Sequence, residues 1–267
     1  MNHSRPRMIR ESNLMRTLTD HPNIDEILLC HSNPASKFEY DHDKVRNIDA
    51  IDANAKMGLS LRFHFCTTAK NEWVIHVDDD QELTLEAIDQ LLAEFGKDPR
   101  RIVGKFGRAY NWWRAPQRHG YDTKIILGPT EVVLTKILVV QRDVCSAFFR
   151  YQDLVKDLLP ESKPLWNGED IFLSLVANHV YEVPHDGPYR NFAMDLNVWE
   201  ASDEYKDDDT GAHDISGNMD RHRIWTVGFW NWLNAFYRAQ CHAAYRGKLW
   251  HAAKERLVLV NDIVKTT

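Results

Sequence analysis

The stretch Glu72-Trp73-Val74-Ile75-His76-Val77-Asp78-Asp79-Asp80 constrains this chain more than any other. Its first half is apolar and β-branched, the pattern of a buried strand. It then ends in three adjacent carboxylates, and Gln81-Glu82-Leu83-Thr84 leads straight into a helical segment. Three neighbouring aspartates repel one another, so a fold gains nothing by holding them at a strand end unless a cation removes the cost. Hard divalent cations prefer carboxylate oxygens. The sharp reading is a metal and nucleotide site at the carboxyl end of a sheet strand, where open α/β sheets bind ligands. The plainer reading is a solvated acidic turn.

The flanking sequence supplies the rest of an α/β pattern. Arg10 to Leu18 predicts a short helix, Ile24 to Cys30 a strand, and Ala35 to Asp52 a polar, irregular surface segment. Leu59 to Cys66 is apolar around Arg62. Leu85, Ile88, Leu91, Leu92 and Phe95 share one helix face, with Thr84 as N-cap and Glu86 in the first turn. Gly96 closes that helix, and Arg101 to Phe106 reads as the next strand. Strand, helix and strand in that order predict parallel pairing with right-handed crossovers. Beyond Arg108 the rhythm changes to an aromatic, basic region containing Trp112, Trp113 and Tyr121. Val132 to Val140 predicts a strand, Asp143 to Leu159 a helix, and Ile171 to His179 another helix. Tyr181 to Trp199 reads as mixed and loop-like, Glu200 to Asp220 as a mobile loop, and Arg223 onward mainly as helix. Without repeats or a low-complexity linker, one domain over 1–267 is expected. It would divide into two parts, about 1–107 and about 108–267.

Composition excludes several classes. At 267 residues and 43% apolar content the chain can build a real core and is neither disordered nor fibrous. A formal charge of −6 with no Lys/Arg-rich run argues against nucleic-acid binding. Cys30, Cys66, Cys145 and Cys241 lie far apart, as reduced, mostly buried thiols rather than a disulfide framework or zinc site. No segment is apolar for membrane-spanning length and the N-terminus is polar, so a soluble, intracellular or cytoplasmic chain is expected.

The acidic stretch admits several chemistries. In a nucleotide-sugar transferase, Asp-x-Asp after an apolar strand bridges Mn²⁺ or Mg²⁺ to the diphosphate, neutralising the leaving group. A haloacid-type phosphatase would use the first Asp as nucleophile and would need a downstream Lys and acidic pair. A two-metal nuclease would scatter its carboxylates and present a basic face. Glu169 and Asp170 open a helix, where capping suffices to explain them, yet carboxylates there could also serve an electrophilic sugar carbon. His222 and Arg223 suit a clamp on a diphosphate or, equally, a solvated helix start. Trp112, Trp113 and Tyr121 could stack on a sugar, although such residues more often pack a core. Asp207-Asp208-Asp209 lacks an apolar approach and reads as solvated loop.

Together these residues resemble the exostosin-like glycosyltransferases, glycosyltransferase family 64. The resemblance is clearest in VIHVDDDQELTLEAIDQLLAEFGKDPRRIVGKFGR. Arg62, sixteen residues ahead of Asp78, falls where the family carries a nucleotide-contacting Arg, and Arg10 in RESNLMRTL resembles the Arg after the first strand. VLTKILVV, Asn167-Gly168-Glu169-Asp170-Ile171 and ISGNMDRHR follow in the family's order. The resemblance implies a GT-A fold with a Rossmann-like mixed sheet flanked by helices, a UDP-sugar donor, Mn²⁺ and a glycan or glycoprotein acceptor. It places Asp78 and Asp79 near the ribose, Asp80 on the metal and Asp170 next to the reacting sugar, with Glu169 beside it.

The sequence departs from the family where specificity would lie. Little apolar sequence precedes Arg10, which implies a shortened uracil pocket or a truncated chain. Ser60 and Leu61 stand where Asn is expected, Lys136 where a small Gly is expected, and Gly168 where a Cys is expected. The basic residue of the last helix is replaced by His222 or Arg223. The expected activity is metal-dependent transfer of an N-acetylglucosamine-like sugar or xylose. The rivals are a non-catalytic glycan-binding protein on a decayed scaffold and a metal-dependent phosphohydrolase.

Overall fold

The computed structural model describes residues 6–34, 39–108, 124–130, 132–155, 169–180 and 191–200. Its elements run α1 (Pro6–Glu11), α2 (Leu14–Asp20), β1 (Ile27–His31), β2 (Val45–Asp49), α3 (Ile51–Met57), α4 (Leu61–Cys66) and β3 (Trp73–Val77). They continue with β4 (Gln81–Glu82), α5 (Leu85–Lys97), β5 (Val103–Gly104), β6 (Gly107–Arg108), β7 (Gly128–Thr130), β8 (Val132–Val133) and β9 (Ile137–Gln141). Last come α6 (Arg142–Val155), α7 (Glu169–Val180), β10 (Asn191–Ala193) and β11 (Trp199–Glu200).

The main sheet has five strands in the order β3-β9-β5-β10-β7. Strand β9 is antiparallel to both β3 and β5, β10 is parallel to β5, and β10 is antiparallel to β7. The mixed α/β class therefore holds, but the strands on either side of α5, though they run in the same direction, do not pair directly as expected. The crossover through α5 leaves a gap between β3 and β5, and β9 fills it from later in the chain. Strands β1 and β2 pair in parallel as a separate ladder.

Helices cover both faces, and strand alternation shows how. Ile137 and Val139 of β9 pack with Leu14, Met15, Ile88, Leu91 and Phe95 of α2 and α5. Leu138 and Val140 pack with Phe63, Phe148, Phe172 and Leu173 of α4, α6 and α7. A strand buried on both faces shows no polar alternation, which is why β9 reads as a continuous apolar run. Helix α5 starts as expected, the Ala87 N–H donating to Thr84 Oγ1 at 3.1 Å.

Several boundaries differ from the sequence reading. The helix expected over 10–18 is split at Ser12-Asn13: Leu14 N–H donates to Ser12 Oγ at 3.1 Å and Asn13 N–H to Glu82 Oε1 at 3.0 Å. Such local side-chain acceptors compete with helix continuation. The segment expected to be irregular over 35–52 contains β2, which sits half exposed at the end of its ladder and so reads as polar. The strand expected over 132–140 is two strands, broken by a turn at Leu134–Lys136. The 101–106 segment contributes only Val103–Gly104 to the sheet, and 181–199 includes β10. The helix expected over 171–179 spans Glu169–Val180 within the described residues. Trp112, Trp113, Tyr121, Cys241 and everything beyond Glu200 lie outside the described residues.

Cys30, Cys66 and Cys145 are free and buried. Cys66, Cys145 and the His76 ring converge in the core, their sulfur and nitrogen atoms within 4.8 Å of one another. No helix among the described residues is long and apolar enough to cross a membrane.

Candidate active site

The acidic stretch ends β3 as the pattern requires. Its three carboxylates then take different environments. Asp79 and Asp80 are buried, whereas the Asp78 side chain keeps 23% of its surface exposed. The Asp78 backbone N–H donates to the Lys136 carbonyl at 3.0 Å, and the Gln81 N–H donates to the Asp78 carbonyl at 3.2 Å. The turn Leu134–Lys136 thus lies directly against the end of β3.

Arg62 joins this turn to the aspartates. From α4, its Nη1 donates to Asp78 Oδ1 at 2.6 Å and to the Thr135 carbonyl at 3.2 Å, while Nε donates to the Leu59 carbonyl at 3.2 Å. Burial alone would weaken the guanidinium's hold on its proton, but Asp78, Glu169 and Asp170 more than offset it, so the group binds its proton more firmly. Thr135 completes the circuit, its Oγ1 donating to Glu169 Oε1 at 3.1 Å. Burial pushes both the Asp78 and Glu169 carboxyls up, against the pull of Arg62. Glu169 and Asp170 are themselves buried at the start of α7.

A cleft of about 170 Å³ opens beside this cluster. Arg62, Asp78 and Asp79 line it, together with consecutive residues of β1 and β3. These strands belong to different ladders, so the cleft runs along both where neither pairs with the other. Helices α2 and α4 contribute further apolar lining, including Leu14, Met15 and Phe65. An apolar slot with charged groups converging at one end is a common form of small-molecule site.

Carboxylate oxygens are the donors that a hard divalent cation prefers. Five carboxylates, Asp78 to Asp80 with Glu169 and Asp170, stand with two cations, Arg62 and Lys136. Gln81 Nε2 donates to Asp80 Oδ1 at 2.7 Å, which fixes that carboxylate's rotation. The other atom of the same amide, Gln81 Oε1, is buried without a hydrogen-bond partner. A buried carbonyl oxygen left so carries a desolvation cost. Asp78 is paired with Arg62, and Asp80 with Gln81 and Lys136.

The structure brings together Arg62, Asp78, Asp79, Asp80, Glu169 and Asp170 from the sequence-expected set. Arg10 is exposed on α1, and its neighbour Ile9 lines the cleft. His222 and Arg223 lie outside the described residues. Sequence reasoning missed Gln81 and Thr135 as site residues. Nothing in their local pattern marks them, because their role depends on contacts with Asp80 and Glu169 that only the fold creates.

Residues 1–225 match the glycosyl transferase family 64 domain, and the chain belongs to that family. No curated protein matches it. Among solved structures it is similar to the crystal structure of GalNAc-T7 with UDP, GalNAc and Mn²⁺, at TM-score 0.46 and 12% identity. That similarity covers 91% of this chain and 51% of the other, so the chain spans about half the length of that protein.

Proposed function

We propose that the protein is an exostosin-like, metal-dependent glycosyltransferase of GT-A type. It moves a sugar, N-acetylglucosamine-like or xylose, from a UDP-sugar to a glycan hydroxyl. The observation that carries this reading is Arg62-bound Asp78 and buried Asp79 lining an apolar cleft, with buried Asp80 next in sequence, in a chain of family 64. The uracil base fits the apolar lining between β1 and β3, with Asp78 and Asp79 near the ribose. Arg62 acts on the nucleotide by holding Asp78 in place, and Arg10 is a second contact from α1. Asp80, oriented by Gln81, is the ligand for Mn²⁺ or Mg²⁺. That ion, when bound, neutralises charge growing on the departing diphosphate.

Asp170 faces the reacting sugar carbon, and Glu169, held by Thr135, stands beside it. A buried carboxyl with a raised affinity for protons is suited to exchanging one with an acceptor hydroxyl. His222 and Arg223 are candidates for further diphosphate contacts. On this reading the part up to about residue 107 binds the nucleotide-sugar and the remainder the acceptor.

Calorimetry with UDP, with and without Mn²⁺, tests the reading. UDP should bind much more tightly with Mn²⁺ present, and Asp80→Ala should abolish that increment and turnover while leaving the melting temperature nearly unchanged. Saccharide binding with no affinity for UDP would instead mark a non-catalytic glycan binder. Phosphate release from simple esters would mark a phosphohydrolase.

A further inference from the structure

Building on the transferase reading, we propose that Lys136 is the resident counter-ion of Asp80. It neutralises this carboxylate while the site is empty, and turns its charge to the donor diphosphate when a divalent cation takes Asp80.

The geometry defines the role. Lys136 Nζ stands 3.7 Å from Asp80 Oδ2, a charge contact too long for a hydrogen bond. The other oxygen, Oδ1, is held by the neutral amide of Gln81 at 2.7 Å. Asp80 is thus fixed on one side by a dipole and faced on the other by a cation. The lysine backbone cannot drift, because its carbonyl accepts the Asp78 N–H at 3.0 Å. Its side chain carries the ammonium on four methylenes, is 34% exposed, and passes 5.7 Å from the Phe106 ring centroid.

Two cations cannot share one carboxylate edge without strong repulsion at such distances. A divalent ion entering alone must displace the ammonium and gains no anion to receive it. An ion arriving with a nucleoside diphosphate brings more negative charge than it neutralises, and the displaced ammonium, tethered beside Phe106, can pair with it. Lys136 therefore weakens metal binding on its own and strengthens nucleotide binding in the presence of metal. Two effects of opposite sign from one side chain are not expected of a merely structural residue.

Lys105 provides the control. Its ammonium lies 5.5 Å from the same Phe106 ring but donates to the Val198 carbonyl at 2.9 Å. Removing it deletes the same charge nearby without touching the Asp80 contact.

The experiment measures Mn²⁺ affinity without nucleotide, from the paramagnetic resonance of the free ion, and UDP affinity at saturating Mn²⁺ by calorimetry. Lys136→Met should bind Mn²⁺ alone about tenfold more tightly and UDP with Mn²⁺ about tenfold more weakly, within the usual range of coupling between sites. Lys136→Arg and Lys105→Met should stay near the unaltered protein in both. Should Lys136→Met not fold, Lys136→Gln is read in the same way. Any result other than opposite shifts overturns the assignment. If the unaltered protein binds no UDP with Mn²⁺, the transferase reading falls and this one with it. Equal UDP affinity in the unaltered and Lys136→Met proteins overturns this one alone.

Discussion

Arg62 is the residue through which the site is electrically assembled. Its guanidinium is 9% exposed and meets Asp78 at 2.6 Å, with Glu169 and Asp170 contributing to the same field. Removing one partner of such a pair leaves the other charge desolvated and unmatched. Arg62→Met should therefore destabilise the fold by about 3 kcal/mol or more at neutral pH. The sign of its pH dependence follows from the carboxyls left behind. Without Arg62, Asp78 and Glu169 hold protons more tightly in the folded state than in the unfolded one. Stability then improves on acidification and is lost as pH rises past the unfolded carboxylate range. Urea unfolding at pH 5 and pH 8 checks this, and a deficit that does not narrow at pH 5 contradicts it. Arg62 drew notice in the sequence through the family resemblance, sixteen residues ahead of Asp78. Lys136 drew notice only as a departure from the family, because its role depends on a turn inside a run that reads as one strand.

At the scale of elements, β9 is the strand on which both layers depend. Its neighbour β5 comes close enough that Gly104 has no room for a side chain. A Cβ there would meet the Ile137 carbonyl and the Val133 side chain, and the backbone partner cannot simply rotate away. Gly104→Ala should cost about 1–3 kcal/mol through forced displacement of a close-packed interior. Thermal denaturation should show a melting temperature several degrees lower, and an unchanged one would mean that β5 and β9 separate freely. The sequence signalled a strand at Ile102-Val103-Gly104 but not its partner. Periodicity reports how a strand is buried, whereas strand order depends on which later segment fills the gap. The insertion of β9 between β3 and β5 was accordingly hidden, while the long amphipathic α5, with its Thr84 cap, was plain.

At the scale of the whole molecule, the acidic site and the core share one strand, and this sets the fold's response to acid. Odd-numbered residues of β3 pack toward α2 and α5, while His76 points into the opposite core against Phe63, at 5.4 Å between ring centroids. The apolar run marked a buried strand around His76 but could not show that Cys66 and Cys145 would converge on it. Burial, aided by the Arg62 charge, pushes the His76 pKa down to about 3. In the unfolded chain it titrates near its ordinary value of about 6.5. Between these values the unfolded state binds more protons, so the stability that a neutral His76 contributes is present above pH 6.5 and is lost as pH falls toward 3. The limiting slope for one such group is about 1.4 kcal/mol per pH unit. Asp78 and Glu169, whose carboxyls are raised, act in the opposite direction and partly mask the loss. The comparison that isolates His76 is therefore with His76→Phe, which fills the site without a titrating group. Between pH 7 and pH 5, with chelator present, the unaltered protein should lose stability more steeply than the variant. Parallel pH profiles would show that His76 takes up its proton in the folded core.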